Sequence, residues 1–183
     1  MSFLMGEILN TLGMESTRLI LSLLVNNESG VLTRISGLFA RRGFNIDSLS
    51  VGETQNPRIS RITIQVAGDA YVREQVVHQL EKLHDVKTVT LMELEQTVLR
   101  ELLLVKVRAA PDTRSQVLDA VTVFRAKVID LTPETMTMEL TGEKSKLDAF
   151  IAFLEPLGII EVCRTGVTAI GRGGYVLKQN EEE

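Results

Sequence analysis

Asn26-Asn27-Glu28-Ser29-Gly30-Val31-Leu32 and, one helix later, Arg41-Arg42-Gly43-Phe44-Asn45-Ile46 decide how this chain folds. Before the first stretch, Arg18 to Val25 is almost continuously apolar (Leu19, Ile20, Leu21, Leu23, Leu24, Val25), as a central strand covered on at least one face requires. After it, Val31, Ile35, Leu38 and Phe39 fall at i, i+4, i+7 and i+8, the single apolar stripe of an α-helix. Asn27 or Ser29 can cap that helix by accepting an orphan N–H. Arg41 and Arg42 suit the negative end of its dipole, and Gly43 is a natural stop. A strand therefore ends, a tight turn opens a helix, and a glycine launches the next strand.

Working outward, Phe44 to Glu53 reads as a strand, Asn56-Pro57 as a turn, and Ile59 to Ala67 as a strand in which Ile62, Ile64 and Val66 alternate with Thr63 and Gln65. Asp69 caps a helix reaching about Leu83, carrying Val72, Val76, Leu80 and Leu83, and Val86 to Glu95 closes the unit as a strand. The order βαββαβ then repeats. Glu101 to Ala109 is an apolar strand, and Pro111-Asp112 opens a helix with Val117, Leu118, Val121 and Phe124. Strands at Lys127 to Leu131 and Thr135 to Leu140 flank the Pro133 turn, with Met136 and Met138 as core positions. A helix from about Lys144 carries Leu147, Phe150, Ile151 and Leu154; Pro156-Leu157-Gly158 ends it, and Ile159 to Ile170 is the last strand. The fold class is α+β, with two tandem ferredoxin-like βαββαβ domains. The boundaries are an N-terminal extension over 1–17, a first domain over 18–95, a second over 96–177, and a disordered polar tail over 178–183.

Composition narrows the function. The 183 residues suffice for one large or two small domains, and 44% apolar with 24% charged residues is an ordinary globular mixture. A net charge of −4 gives no reason to expect nucleic acid or an anionic membrane as partner. Cys163 is the lone cysteine, which excludes an internal disulfide and a cysteine-based metal site. His78 and His84, placed on one helix, read as solvated side chains. Met1 to Thr17 has apolar residues (Phe3, Leu4, Met5, Ile8, Leu9, Leu12) but no basic residue before them, and Gly6, Glu7 and Asn10 interrupt them. It fails as a signal peptide or membrane span, and a cytoplasmic protein is expected. The segment reads either as a short amphipathic arm or as the product of a start codon placed ahead of Met14.

Catalytic groupings are missing from the pattern. No Ser, Cys or Thr has an evident basic partner, no paired carboxylates stand in a recognisable frame, and there is no P-loop. Gly171-Arg172-Gly173-Gly174 follows a strand without opening a helix and reads as a loop. The βαββαβ order also belongs to RNA-recognition folds, but the strand Ile59 to Ala67 lacks their stacking aromatics. The turn Asn26 to Gly30 is the better candidate. Backbone N–H groups at a helix N-terminus favour a carboxylate, Gly30 permits close approach, and Asn27 can accept from an ammonium. Asn45 and Ile46 add an amide and an apolar wall. The plainer reading makes Asn27 and Ser29 helix caps and Gly43 a simple helix stop.

The run from Asn26 to Gly52 closely resembles the small, regulatory subunit of acetolactate synthase, and its domain resembles an ACT domain. Ser60-Arg61-Ile62-Thr63-Ile64, Arg100 to Val107, Ile129-Asp130-Leu131-Thr132-Pro133, Leu147-Asp148-Ala149-Phe150 and Arg164-Thr165-Gly166-Val167 resemble the same family, in order, across about residues 18 to 177. The resemblance implies a non-catalytic homodimer: an N-terminal ACT domain followed by an ACT-like domain. It implies a separate large catalytic subunit, a transferase that holds thiamine diphosphate, Mg²⁺ and FAD, with no cofactor in this chain. It implies activation of that subunit and feedback inhibition by a branched-chain amino acid, commonly valine. The effector-binding positions it implies are Asn27, Gly30, Asn45 and Ile46, shared between two ACT domains. The alternative is a stand-alone ACT-type amino-acid sensor controlling another enzyme.

Overall fold

The computed structural model describes residues 17–177. The tail over 178–183 and all of the N-terminal extension except Thr17 lie outside the described residues. The first module runs β1 (Thr17–Asn26), α1 (Val31–Arg42), β2 (Ile46–Glu53), β3 (Ile59–Gly68), α2 (Ala70–Glu81) and β4 (Val86–Leu91). The second runs β5 (Thr97–Arg108), α3 (Arg114–Phe124), β6 (Lys127–Leu131), β7 (Thr135–Gly142), α4 (Lys144–Gly158), β8 (Ile159–Arg164) and β9 (Thr168–Gly171). The chain divides into two compact units. One runs to Val98 and takes in the chain again from Ala169; the other is Leu99–Thr168.

The first sheet has the order β2-β3-β1-β4 and is antiparallel throughout. Alternation sends Leu19, Leu21, Leu23 and Val25 of β1 to one face, where they meet Ile62, Ile64 and Val66 of β3. Val31, Ile35, Leu38 and Phe39 of α1 and Val76 and Leu80 of α2 close over them. The predicted α1 stripe is thus the buried stripe, and Asp69 caps α2 as predicted, its Oδ1 accepting from Val72 N at 2.9 Å. The second sheet, β6-β7-β5-β8 with β9 also on β5, repeats the plan. Its core holds Leu103, Val105 and Val107 with Met136, Met138, Leu147, Phe150 and Leu154, so both methionines are core residues.

Three local expectations are corrected. The strand predicted over Val86 to Glu95 stops at Leu91, and a 3₁₀ turn at Leu94–Gln96 follows, fastened by the Thr97 hydroxyl donating to the Glu93 carbonyl at 2.7 Å. The strand predicted over Ile159 to Ile170 is two strands, because Gly166 adopts φ +80° and the Thr165 hydroxyl accepts from Leu102 N. His84 lies beyond the end of α2 and does not share a helix with His78; both are exposed.

Phe39 is 1% exposed and its ring meets Phe44 edge-on, with centroids 6.4 Å apart. Phe39→Ala removes both the burial and this contact. It is expected to cost about 3–5 kcal/mol, read as a lowered denaturant midpoint for the first unit.

Candidate functional site

The turn between β1 and α1 is held from three sides. β1 and β3 run antiparallel with Asn26 opposite Ile59, which brings the β2–β3 hairpin beside the turn. Asn27 N donates to the Arg58 carbonyl at 2.7 Å and Asn26 N to the Asp85 carbonyl at 2.9 Å. The Asn27 amide nitrogen donates to Glu53 Oε1 at 3.1 Å and to the Pro57 carbonyl at 2.9 Å, and its oxygen accepts from the Ser60 hydroxyl at 3.0 Å. Asn27 therefore braces the hairpin and does not cap α1. Ser29 does not cap it either: the N-cap position is Gly30, at φ +83°, with no side-chain hydrogen bond. The first turn of α1 therefore has no side-chain cap; Val31 N donates to the Glu28 carbonyl at 3.5 Å, and a helix N-terminus without a side-chain cap is a favourable place for an anion.

Below the turn, Arg34 Nε donates to Asp85 Oδ2 at 2.6 Å. That hydrogen bond holds the Asp85 carboxyl below the usual carboxylate range, outweighing a desolvation effect of opposite sign. Gly30 holds a left-handed backbone conformation that favours glycine, and a Cβ there would also stand 3.0 Å from Arg34 Nη1, the movable end of that side chain. None of Glu53, Ser60 or the Arg34–Asp85 pair was singled out from sequence. Their partners lie between 26 and 51 residues away, beyond any local spacing signal.

At its far end α1 closes as a Schellman stop. Gly43, at φ +70°, donates to the Ala40 carbonyl and Phe44 N donates to the Phe39 carbonyl at 3.0 Å. The Phe39–Phe44 ring contact is the apolar partner of this motif. Asn45 is exposed and donates to Asp47 Oδ1 at 2.7 Å, while Ile46 is half-buried against the core. Asn27 and Gly30 thus sit at one end of α1, and Asn45 and Ile46 at the other. Twelve residues of helix span about 18 Å. The register agrees: Ile46 faces Val66 at the opposite end of β3 from Ile59. One copy of the chain does not bring its four candidate residues onto one small ligand.

Among the described residues no three or more His, Cys, Asp or Glu side chains gather as for a metal ion. No helix among them is long and apolar enough to cross a membrane.

A βαββαβ module with an antiparallel sheet ordered β2-β3-β1-β4 and both helices on one face is the ferredoxin-like arrangement of ACT domains. A family model for the small-subunit-like ACT domain of acetohydroxyacid synthase matches residues 21–88, and one for the acetolactate synthase small subunit matches residues 100–173. The chain is 48% identical over 153 residues to the acetolactate synthase small subunit of Mycolicibacterium smegmatis, covering 84% of this chain and 90% of that one. It is 44% identical over 162 residues to the isozyme 3 small subunit of Escherichia coli, covering 88% and 99%. The crystal structure of the acetolactate synthase small subunit from Thermotoga maritima superposes with a TM-score of 0.81 at 40% identity, covering 87% of this chain and 99% of that one. The chain belongs to the acetolactate synthase small-subunit family.

Gly30→Ala is expected to lose about 1–2 kcal/mol from the left-handed backbone alone, measured by denaturant unfolding. The depressed Asp85 carboxyl gives stability that is present above the ordinary carboxylate pKa and disappears as pH falls through its lower, folded value. Asp85→Asn lacks that contribution. Its thermal midpoint should therefore fall less steeply than the parent's below about pH 4, followed in a pH series of melting curves.

Proposed function

We propose that this chain is the regulatory subunit of a cytoplasmic acetolactate synthase. It activates a separate catalytic subunit, where thiamine diphosphate, Mg²⁺ and FAD reside, and makes that subunit sensitive to a branched-chain amino acid, with valine the first choice. The observation that carries this reading is the uncapped turn at Gly30 in an ACT module of this family. A helix N-terminus without a side-chain cap suits the ligand carboxylate. In the second copy Asn45 supplies an amide and Ile46 an apolar surface for the isopropyl group.

Dimerisation unites the two half-sites. β2 is an edge strand, and a second copy is the natural cover for it. Antiparallel pairing of β2 along its whole length carries the Ile46 end of one copy to the Glu53 end of the other. Glu53 already touches Asn27, so Asn27 and Gly30 of one copy come beside Asn45 and Ile46 of the second. A ligand bridging two copies tightens the dimer by the same free energy with which the dimer tightens the ligand. Effector binding would then change the geometry or rigidity of the paired ACT modules and lower activation of the catalytic subunit. The unit boundaries proposed from sequence, 18–95 for the ACT module and 96–177 for the second, assign effector binding to the first and assembly to the second.

The test is titration calorimetry of the purified chain with valine, leucine and isoleucine, alongside an acetolactate assay of the reconstituted complex. Saturable binding of one of the three is expected. Asn27→Ala or Asn45→Ala should weaken it by about 1.5–3 kcal/mol while activation survives. Valine, leucine and isoleucine all failing to bind or to inhibit the complex would sink the reading.

A further inference from the structure

The Asn27 side chain is a poor sole acceptor for a cation. Both of its N–H donors are spent on Glu53 and Pro57, and its oxygen already accepts from Ser60. A zwitterionic ligand brings a full positive charge into this corner, and a neutral amide oxygen with one occupied lone pair balances it weakly. Two carboxylates stand next to Asn27, Glu28 in the turn itself and Glu53 on the hairpin; the one tied to Asn27 is Glu53, whose Oε1 lies 3.1 Å from Asn27 Nδ2. Its other oxygen is not used by Asn27.

The second copy adds to the case. In the antiparallel β2 pairing of the proposed dimer, the Ile46 end of one copy, with Asn45 and Asp47 beside it, would come next to Glu53 of the other. Each carboxylate is held by an asparagine of its own chain, Asp47 by Asn45 at 2.7 Å and Glu53 by Asn27 at 3.1 Å. A ligand α-ammonium at that junction would meet the Glu53 carboxylate of one copy and the Asn45 amide oxygen of the other, with its carboxylate toward the Gly30 end of the turn.

We propose that Glu53 is the anionic receptor for the ligand ammonium, and so the residue that selects an α-amino acid over its des-amino analogue. Asn27 is then the positioning residue that aims the carboxylate. The inference rests on the amino-acid-binding reading of the turn.

The experiment titrates the full-length chain with L-valine and with 3-methylbutanoate, which keeps the isopropyl group and carboxylate and lacks the ammonium. Glu53→Gln retains an oxygen acceptor for Asn27 and removes only the charge. The parent is expected to prefer valine. Glu53→Gln should lose about ten- to a hundredfold in valine affinity and leave 3-methylbutanoate affinity unchanged, with the same melting midpoint. Unchanged valine affinity in Glu53→Gln overturns the role of Glu53. An equal loss for both ligands also overturns it, by making Glu53 a support for Asn27 alone. If the parent binds none of valine, leucine or isoleucine, the reading of the turn itself fails, and the role of Glu53 with it.

Discussion

β1 lies in the middle of its sheet, with β3 on one side and β4 on the other, and that antiparallel pairing sets the position of everything at its Asn26 end. Leu21 and Leu23 are fully buried, so a one-residue slip of β1 would turn its whole apolar set to the wrong face. Because the register is fixed, Asn26 ends opposite Ile59 and beside Asp85. The turn to α1 thereby acquires the hairpin on one side and the Arg34–Asp85 pair on the other. The hydrophobic pairing is the cause, and the polar corner is its consequence.

The two units answer the same topological problem differently. In the first, Gly43 takes the left-handed stop after α1; in the second, Arg125 takes it after α3 at φ +56°, with Ala126 N donating back to the Val121 carbonyl at 2.9 Å. In the first, the strand-to-helix turn ends in an uncapped glycine. In the second, the Arg114 guanidinium reaches back to the carbonyls of Ala109, Thr132 and Pro133 and so ties the corresponding turn with a side chain. That unit is further tied by Arg164, which grips the buried Glu101 at 2.7 Å and Asp148 at 2.8 Å. Lys144 and then Arg164 hold the Asp148 carboxyl below its ordinary range.

Asn27 shows how a local rule can misplace a side chain. An asparagine just before a helix is read as a cap, since a short polar side chain there usually satisfies an orphan N–H. Here its three polar contacts all go to the hairpin, and the cap position is left to a glycine. A glycine N-cap has no side chain to occupy the helix donors. What local propensity would treat as a slightly weaker helix start is a helix start without a side-chain cap.

The sequence by itself determined the elements and their buried faces. The alternation in β3, the four-residue stripe of α1, the Asp69 cap and the Gly43 stop are set by neighbours within one or two turns, and such signals are written locally. It also carried the family, because the motifs run in order through both modules. Tertiary structure alone decided which polar atoms meet. Glu53 and Ser60 reach Asn27 across 26 and 33 residues, and Arg34 reaches Asp85 across 51, through a strand register that no single segment encodes. It decided too that the last predicted strand breaks at Gly166, where a donor from β5 takes the Thr165 hydroxyl. And it separated the two halves of the candidate site by the length of α1, a distance fixed by helix geometry once both ends are anchored.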